Sequence, residues 1–334
     1  MRLQQCPIRR SGTTLPASDA ELLDQGLGEL DQFPTLDGSF SLHSSLFCEA
    51  FHNSAGALNE ARAKFVRPAE VQRFKPDHTL RVLDVCFGLG YNSAALWDSL
   101  SGQTSRMQWW GLEIDARPLR LALANTGFIN HWTHSTFNRL RSLDQCSEWT
   151  DADGQGTLLF GDARQCLDNI PEEQSFDLIF HDAFSPQRCP QLWSEEFLKR
   201  LADRLAPEGR LLTYSRSAAV RTSLKRAGLE LRSLLPAPGE RQGWSSGTLA
   251  IKPPLLHAQS SGDGWRSLSQ LELEHLKTRA AVPFRDPSGR DHAAEIIQRR
   301  HAEQRVRGLE STNSWQRRNE LNKPKNDRPS PLQN

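Results

Sequence analysis

The sequence predicts an α/β fold: a Rossmann-like, doubly wound and mostly parallel sheet, with a small N-terminal extension and a basic C-terminal tail. Three observations carry this. A short apolar strand, Leu80 to Val85, runs into a tight turn with glycines at 88 and 90, and a helix-forming run from Asn92 to Leu100 follows. Further apolar segments of strand length end on carboxylates and alternate with helical patterns, as in a parallel sheet. A hydrophobic share of 37% in 334 residues suffices for one sizeable core.

Taken in order, residues 1–34 mix Pro, Gly, Ser and Thr and read as a loosely ordered N-terminus. Residues 35–75 form an extension with a hairpin-like stretch at 36–42 and a helix running to Phe65. The α/β domain spans 76–253. Its second strand, Gln108 to Asp115, ends in carboxylates; a third, Leu158 to Ala163, carries Asp162; a fourth, Phe176 to Asp182, ends on Asp182 itself. Ser194 reads as an N-cap, with Glu195 and Glu196 in the first turn and Phe197, Leu201 and Leu205 on one helical face. Residues 205–214 end that helix with a turn and begin a fifth strand, and a helix over 217–227 is stopped by Gly228. Residues 254–334 carry helix-like runs at 267–280 and 291–307, then a polar end expected to be disordered.

The glycine turn has the form of a cofactor cradle, since glycine lets the backbone approach a ligand and the next helix presents free N–H groups. The spacing is not G-x-G-x-x-G, because Asn92 and Ser93 stand where the third glycine would fall. Asp84, just before the turn, would repel a pyrophosphate but suits a cationic amino-acid moiety such as the methionine end of S-adenosylmethionine. Glu113 falls a little over 20 residues past the turn, where an acidic side chain takes ribose hydroxyls, and Asp162 is placed to accept from the adenine amino group. Singly, each carboxylate also reads as a helix cap or a turn residue. Four in register read as a cofactor cleft.

No apolar run approaches the ~20 residues needed to span a bilayer, and the first residues lack a signal-peptide core, so a cytoplasmic protein with no membrane partner is expected. The six cysteines are scattered without a C-x-x-C pair, which points to reduced thiols and no metal site; Cys86 in the turn reads as a small residue tolerated there. Net charge is +1, yet residues 188–241 and 296–334 each carry an excess of five positive charges. A neutral total therefore hides basic faces suited to a polyanion. Arg221 and Lys225 share one side of the 217–227 helix at i,i+4 and are candidates for contact with a polyanion, the alternative being a solvated amphipathic helix.

The block Phe180-His-Asp-Ala-Phe-Ser-Pro-Gln-Arg-Cys-Pro-Gln-Leu-Trp193 resembles the D-x-F-x-P-x-x-x-P-x-x-W signature of the MnmC-type methyltransferases, which complete 5-methylaminomethyl-2-thiouridine at the tRNA wobble position. Asp37-Gly-Ser, Phe51 to Leu58 with Glu60-Ala61, Asp84 to Asn92, and Tyr214 to Arg221 match that family in order, so the resemblance covers roughly residues 35–253. It implies a class I S-adenosylmethionine-dependent fold and methyl transfer to an aminomethyl nitrogen. Carried onto this chain, it implies cofactor contacts from Asp84, Gly88, Gly90, Asn92, Glu113 and Asp162, catalysis by Asp182, and substrate contacts from His52, Phe184, Trp193, Arg221 and Lys225. Phe184 and Trp193 would pack the uracil ring, or serve as core aromatics. Two departures stand out: Cys86 replaces the usual first glycine, and Pro238 to Gly247 replaces a basic G-F-G-R-K-R-E-M-like ending. The 81 residues after 253 are too few for the FAD-dependent oxidase domain of the bifunctional enzymes, so a separate enzyme is expected to supply the aminomethyl precursor.

Two other classes fit parts of the pattern. An aminopropyltransferase, or another small-amine methyltransferase, shares the scaffold and an aspartate after the fourth strand. A non-catalytic RNA-binding module would use the basic face alone, but has no need of four strand-end carboxylates.

Overall fold

The computed structural model describes residues 26–75, 77–101, 106–240, 243–255 and 259–319. The expected loose N-terminus lies outside the described residues up to position 25, and the polar end lies outside them from 320 onward. Within the described part the extension begins earlier than expected. Strands β1 (Leu30–Pro34), β2 (Phe40–Ser44) and β3 (Glu49–Ala50) form a small antiparallel sheet, followed by helix α1 (Ala57–Glu60), which continues as a π-helical segment over Ala61–Val66. The hairpin-like stretch at 36–42 is thus the turn and second strand of a hairpin whose first strand is Leu30–Pro34.

The main domain runs β4 (Leu80–Val85), α2 (Tyr91–Ser99), β5 (Met107–Glu113), α3 (Arg117–Ala124), α4 (Thr126–Ile129), α5 (His134–Cys146), β6 (Glu148–Asp151), β7 (Gly154–Phe160), α6 (Ala163–Cys166), β8 (Phe176–His181), α7 (Glu195–Asp203), β9 (Leu205–Thr213), α8 (Ala218–Arg226), β10 (Glu230–Leu234) and β11 (Thr248–Ile251). Strands β12 (Ser261–Gly262) and β13 (Trp265–Ser267) close one edge, and helices α9 (Gln270–His275), α10 (Ala293–Val306) and α11 (Thr312–Arg318) follow. The ten-stranded sheet has the order β12-β13-β10-β11-β9-β8-β4-β5-β7-β6. Its centre, β7-β5-β4-β8-β9, is parallel throughout and follows the Rossmann order 3-2-1-4-5. Strand β11 then pairs antiparallel to β9, with β10 beyond it.

Both faces of the sheet's centre are covered, so its strands bury apolar residues on both sides. Val82, Leu178, Phe180 and Leu212 pack into one core, while their neighbours Leu83, Ile179 and Leu211 pack into the other. Local signals set the helix ends: Ser194 accepts from the Phe197 N–H and caps α7, and Gly228, at φ 88°, follows the end of α8.

The C-terminal part departs from expectation. The helix expected over 267–280 is only Gln270–His275, because Thr278 caps a separate 3₁₀ turn at Arg279–Ala281. Part of the segment expected to be disordered is helix α11, whose Trp315 is fully buried. Up to residue 319 the extension is docked on the domain and is not a free basic tail. Among the described residues no helix is long and apolar enough to cross a membrane.

Candidate active site

Chain order reverses where β4 passes to β8, and the crevice outside the carboxyl ends of these strands opens into a cleft of about 1240 Å³. This exceeds the ~300–1,000 Å³ of ordinary small-molecule sites, leaving room for a cofactor and part of a second ligand.

At one end stands the turn after β4. Cys86, Gly88 and Gly90 all have left-handed φ (67°, 58° and 90°), so Cys86 occupies a conformation that usually falls to glycine. A Cβ on Gly90 would lie 2.7 Å from the Phe87 ring, so α2 can begin there only from glycine. Glu113, buried at the end of β5, accepts the Gly88 N–H at 2.7 Å with one oxygen and the Ile114 and Asp115 N–H groups with the other. Burial outweighs these bonds and pushes its carboxyl up to about 7. Ile114, half exposed, gives the cleft an apolar ledge beside it. Asp162 caps α6 and lines the cleft while gripping Arg164, which in turn pairs with the buried Asp286 of the C-terminal extension. Glycine turn, ledge and carboxylates together fit an adenosyl group.

Three residues expected to touch a cofactor do other work. Asp84 is fully buried behind the turn, where it accepts the Ser93 hydroxyl at 2.6 Å and does not line the cleft. Burial drives its carboxyl up to about 7. Gly90 shapes the start of α2 without lining the cleft, and Asn92 donates its amide to Asp182 at 2.7 Å.

Asp182 stands beside this turn, just past β8, its N–H donating to the Val85 carbonyl at 3.1 Å. Burial, reinforced by the charge of Glu60 and opposed by the Asn92 bond, raises its carboxyl to about 8. Glu60 and Lys64 line the cleft as well, and the Lys64 ammonium bridges Glu60 and Glu240 at 3.0 Å each. His52 lines the cleft with Nδ1 3.0 Å from the Ser41 hydroxyl, and burial keeps its pKa below the usual value. Phe184 lines the cleft too, but Phe47 stacks on it at 4.3 Å and Phe51 meets it edge-on at 4.9 Å.

Trp193 does not reach the cleft. It is completely buried against His181 and Tyr214, and its indole N–H donates to the Phe184 carbonyl at 2.7 Å, so it holds the Phe184 loop and cannot stack on a base. Arg221 is a second correction. Only 1% exposed, it pairs with the buried Glu272 at 3.0 Å and binds Thr248, Ser245 and Gly247, leaving nothing for a polyanion. Lys225 is exposed in the last turn of α8 and does not line the cleft. The i,i+4 pair expected on that helix is therefore split between interior and solvent. Lys64, Glu240, Arg216 and Trp244 also line the cleft. The Glu60–Lys64 pair at i,i+4 was the one local signal among them.

A parallel sheet in this order, with a glycine turn after the first strand and an acidic residue ending the second, is the architecture of a class I S-adenosylmethionine-dependent methyltransferase. A family model described as S-adenosyl-L-methionine-dependent methyltransferase matches residues 116–248. The bifunctional 5-methylaminomethyl-2-thiouridine biosynthesis protein MnmC of Aromatoleum aromaticum is 30% identical over 60% of this chain, and an uncharacterized Methanocaldococcus jannaschii protein, MJ0670, is 30% identical over 66%. The crystal structure of MNMC2 from Aquifex aeolicus superposes with a TM-score of 0.65 at 25% identity, covering 88% of this chain and 93% of that one. The protein carries an S-adenosylmethionine-dependent methyltransferase domain similar to that of the MnmC enzymes, and S-adenosyl-L-methionine is its cofactor. The chain spans 59% of the length of MJ0670 and about a third, 32%, of the bifunctional relative.

Proposed function

We propose that this protein transfers the methyl group of S-adenosylmethionine to the aminomethyl nitrogen of 5-aminomethyl-(2-thio)uridine at the wobble position of tRNA, the precursor being made by a separate enzyme. The observation that carries the reading is Asp182: a carboxylate with a raised pKa, in the cleft beside the glycine turn and near a second carboxylate, Glu60. The cofactor supplies an electrophilic methyl on a positively charged sulfur. Asp182 holds the substrate ammonium and then accepts its proton. An alkylammonium near 10.4 would lose its proton to an ordinary aspartate against ~6 pK units, or ~9 kcal/mol; against a carboxyl near 8 the gap falls to ~2 units, or ~3 kcal/mol. Asn92 fixes the orientation of Asp182, and the Lys64 ammonium paired to Glu60 keeps the Glu60 charge from being expressed in full.

In this reading Glu113 takes the ribose hydroxyls and Asp162 the adenine amino group. Glu113→Ala is expected to weaken S-adenosylmethionine binding by ~1.5–3 kcal/mol, roughly 10- to 100-fold, measured by calorimetry. Unchanged affinity would remove Glu113 from the ribose site.

The decisive measurement is mass spectrometry of wobble nucleosides from cells with and without the protein. Loss of 5-methylaminomethyluridines with accumulation of the aminomethyl forms is expected. Wobble nucleosides that do not change would refute the assignment, and a panel of small amines tested beside hypomodified tRNA would then expose a small-amine methyl- or aminopropyltransferase.

A further inference from the structure

The adenosyl end of the cleft lies over β4, β5 and β7, and its opposite wall is built where β9 ends, from Ser215, Arg216, Ser217, Gly243, Trp244 and Ser246. Trp244 is half-buried there. One side of its indole is packed by the C-terminal extension: His275 meets it edge-on at 5.0 Å and Trp315 at 5.3 Å, and these two rings stack on each other at 4.7 Å. The backbone on either side is pinned. Arg266 donates to the Trp244 carbonyl, Arg216 to that of Ser245 at 2.7 Å, and Glu272 accepts the Ser245 hydroxyl at 2.7 Å. The Arg216 guanidinium lies 5.9 Å from the Trp244 ring centroid.

A large aromatic held rigidly on one side and open to a cleft on the other, with an arginine beside it, is the arrangement that stacks an unpaired nucleobase. Trp193 is fully buried, and Phe184 has already given a face to Phe47, whereas Trp244 lines the cleft on this wall. Resting on the tRNA methyltransferase reading, we propose that Trp244 stacks a nucleobase of the RNA substrate opposite the cofactor, and that the C-terminal extension, through Trp315 and Glu272, is the element that presents it. Trp244 is then a specificity-determining residue placed in the segment where the chain departs from the basic family ending. Arg216 supplies charge to the adjoining phosphate or base face.

The test uses the full chain with tRNA bearing 5-aminomethyluridine. Trp244→Ala is expected to raise both KM for that tRNA and its cofactor-free Kd by roughly 10- to 100-fold, the range of one base–aromatic stack. Calorimetric affinity for S-adenosylmethionine should stay near that of wild type. Trp244→Phe should restore most of the loss, and Trp315→Ala should reproduce the KM defect with unchanged cofactor affinity. If the wild type methylates the tRNA and Trp244→Ala leaves KM and Kd unchanged, the stacking role is wrong while the function stands. Loss of cofactor affinity in both Trp244 variants would reduce Trp244 to a structural residue and also overturn the proposal. A wild type that does not methylate this tRNA overturns the function, and this inference with it.

Discussion

Asp182→Asn is expected to lower turnover by a factor on the order of 100 or more while S-adenosylmethionine still binds. Asparagine keeps the shape and can still meet Asn92, but it can neither hold an ammonium ion by charge nor accept its proton. The pH profile gives the sharper test. Because the Asp182 carboxyl sits near 8, it is neutral below that pH, so wild-type kcat/KM should climb as pH rises through about 8. The variant should lose that limb and keep only a slope from the amine itself, so raising pH partly rescues it. Stability gives an independent sign. A carboxyl raised in the folded state binds its proton more tightly there than in the unfolded chain, so its effect on stability worsens from about pH 4 to about 8. The Asn variant should therefore melt higher than wild type at pH 9, with the difference vanishing toward pH 4. Near-normal turnover at neutral pH would make Asp182 a structural cap.

Glu272→Ala is expected to destabilise the protein by about 3–5 kcal/mol, read from urea unfolding. Burial works to raise the Glu272 carboxyl, but hydrogen bonds from Ser233, Ser245 and the Ser269 N–H, with the charge of Arg221, hold it down to about 2. Removing it leaves the Arg221 guanidinium buried without a counter-charge. The reciprocal change, Arg221→Ala, should cost less, because Glu272 keeps Arg266 at 2.7 Å and its serine partners. Equal or reversed costs would show that Arg266 does not stabilise the carboxylate. Glu272→Ala should also raise KM for tRNA, since Ser245 loses its anchor next to Trp244. Charge reversal at Lys225, which is solvated and away from the cleft, should move neither quantity.

Much of this molecule is legible from short stretches of chain. Strands β4, β5 and β8 carry buried apolar residues on both faces because both sides of the sheet are covered there, and each strand ends on or beside a polar residue where it leaves the core. The glycine turn, the Ser194 cap and the Gly228 stop are set by bonds spanning a few residues. For that reason Asp182, Glu113 and Asp162 could be placed in the cleft from position alone. Asp84 could not: its strand position was right, but its partner Ser93 turned the carboxylate to the back of the turn.

The distinction between the tryptophans was not local. Trp193 and Trp244 both sit in polar, loop-like sequence, yet one is sealed by His181 and Tyr214 while the other is propped at the cleft by His275 and Trp315. The burial of Arg221 is non-local in the same way. Helical periodicity sets it beside Lys225, but its burial is decided by Glu272, 51 residues away, which folds over the side of α8 that periodicity assigns to solvent. Backbone propensity, capping and alternation act within about one turn or one pleat, so the sequence by itself determined the α/β class, the glycine turn and the strand-end carboxylates. Only the tertiary structure decided which charges and aromatics remain free to meet a substrate, because burial depends on segments far apart in the chain that meet only once it has folded.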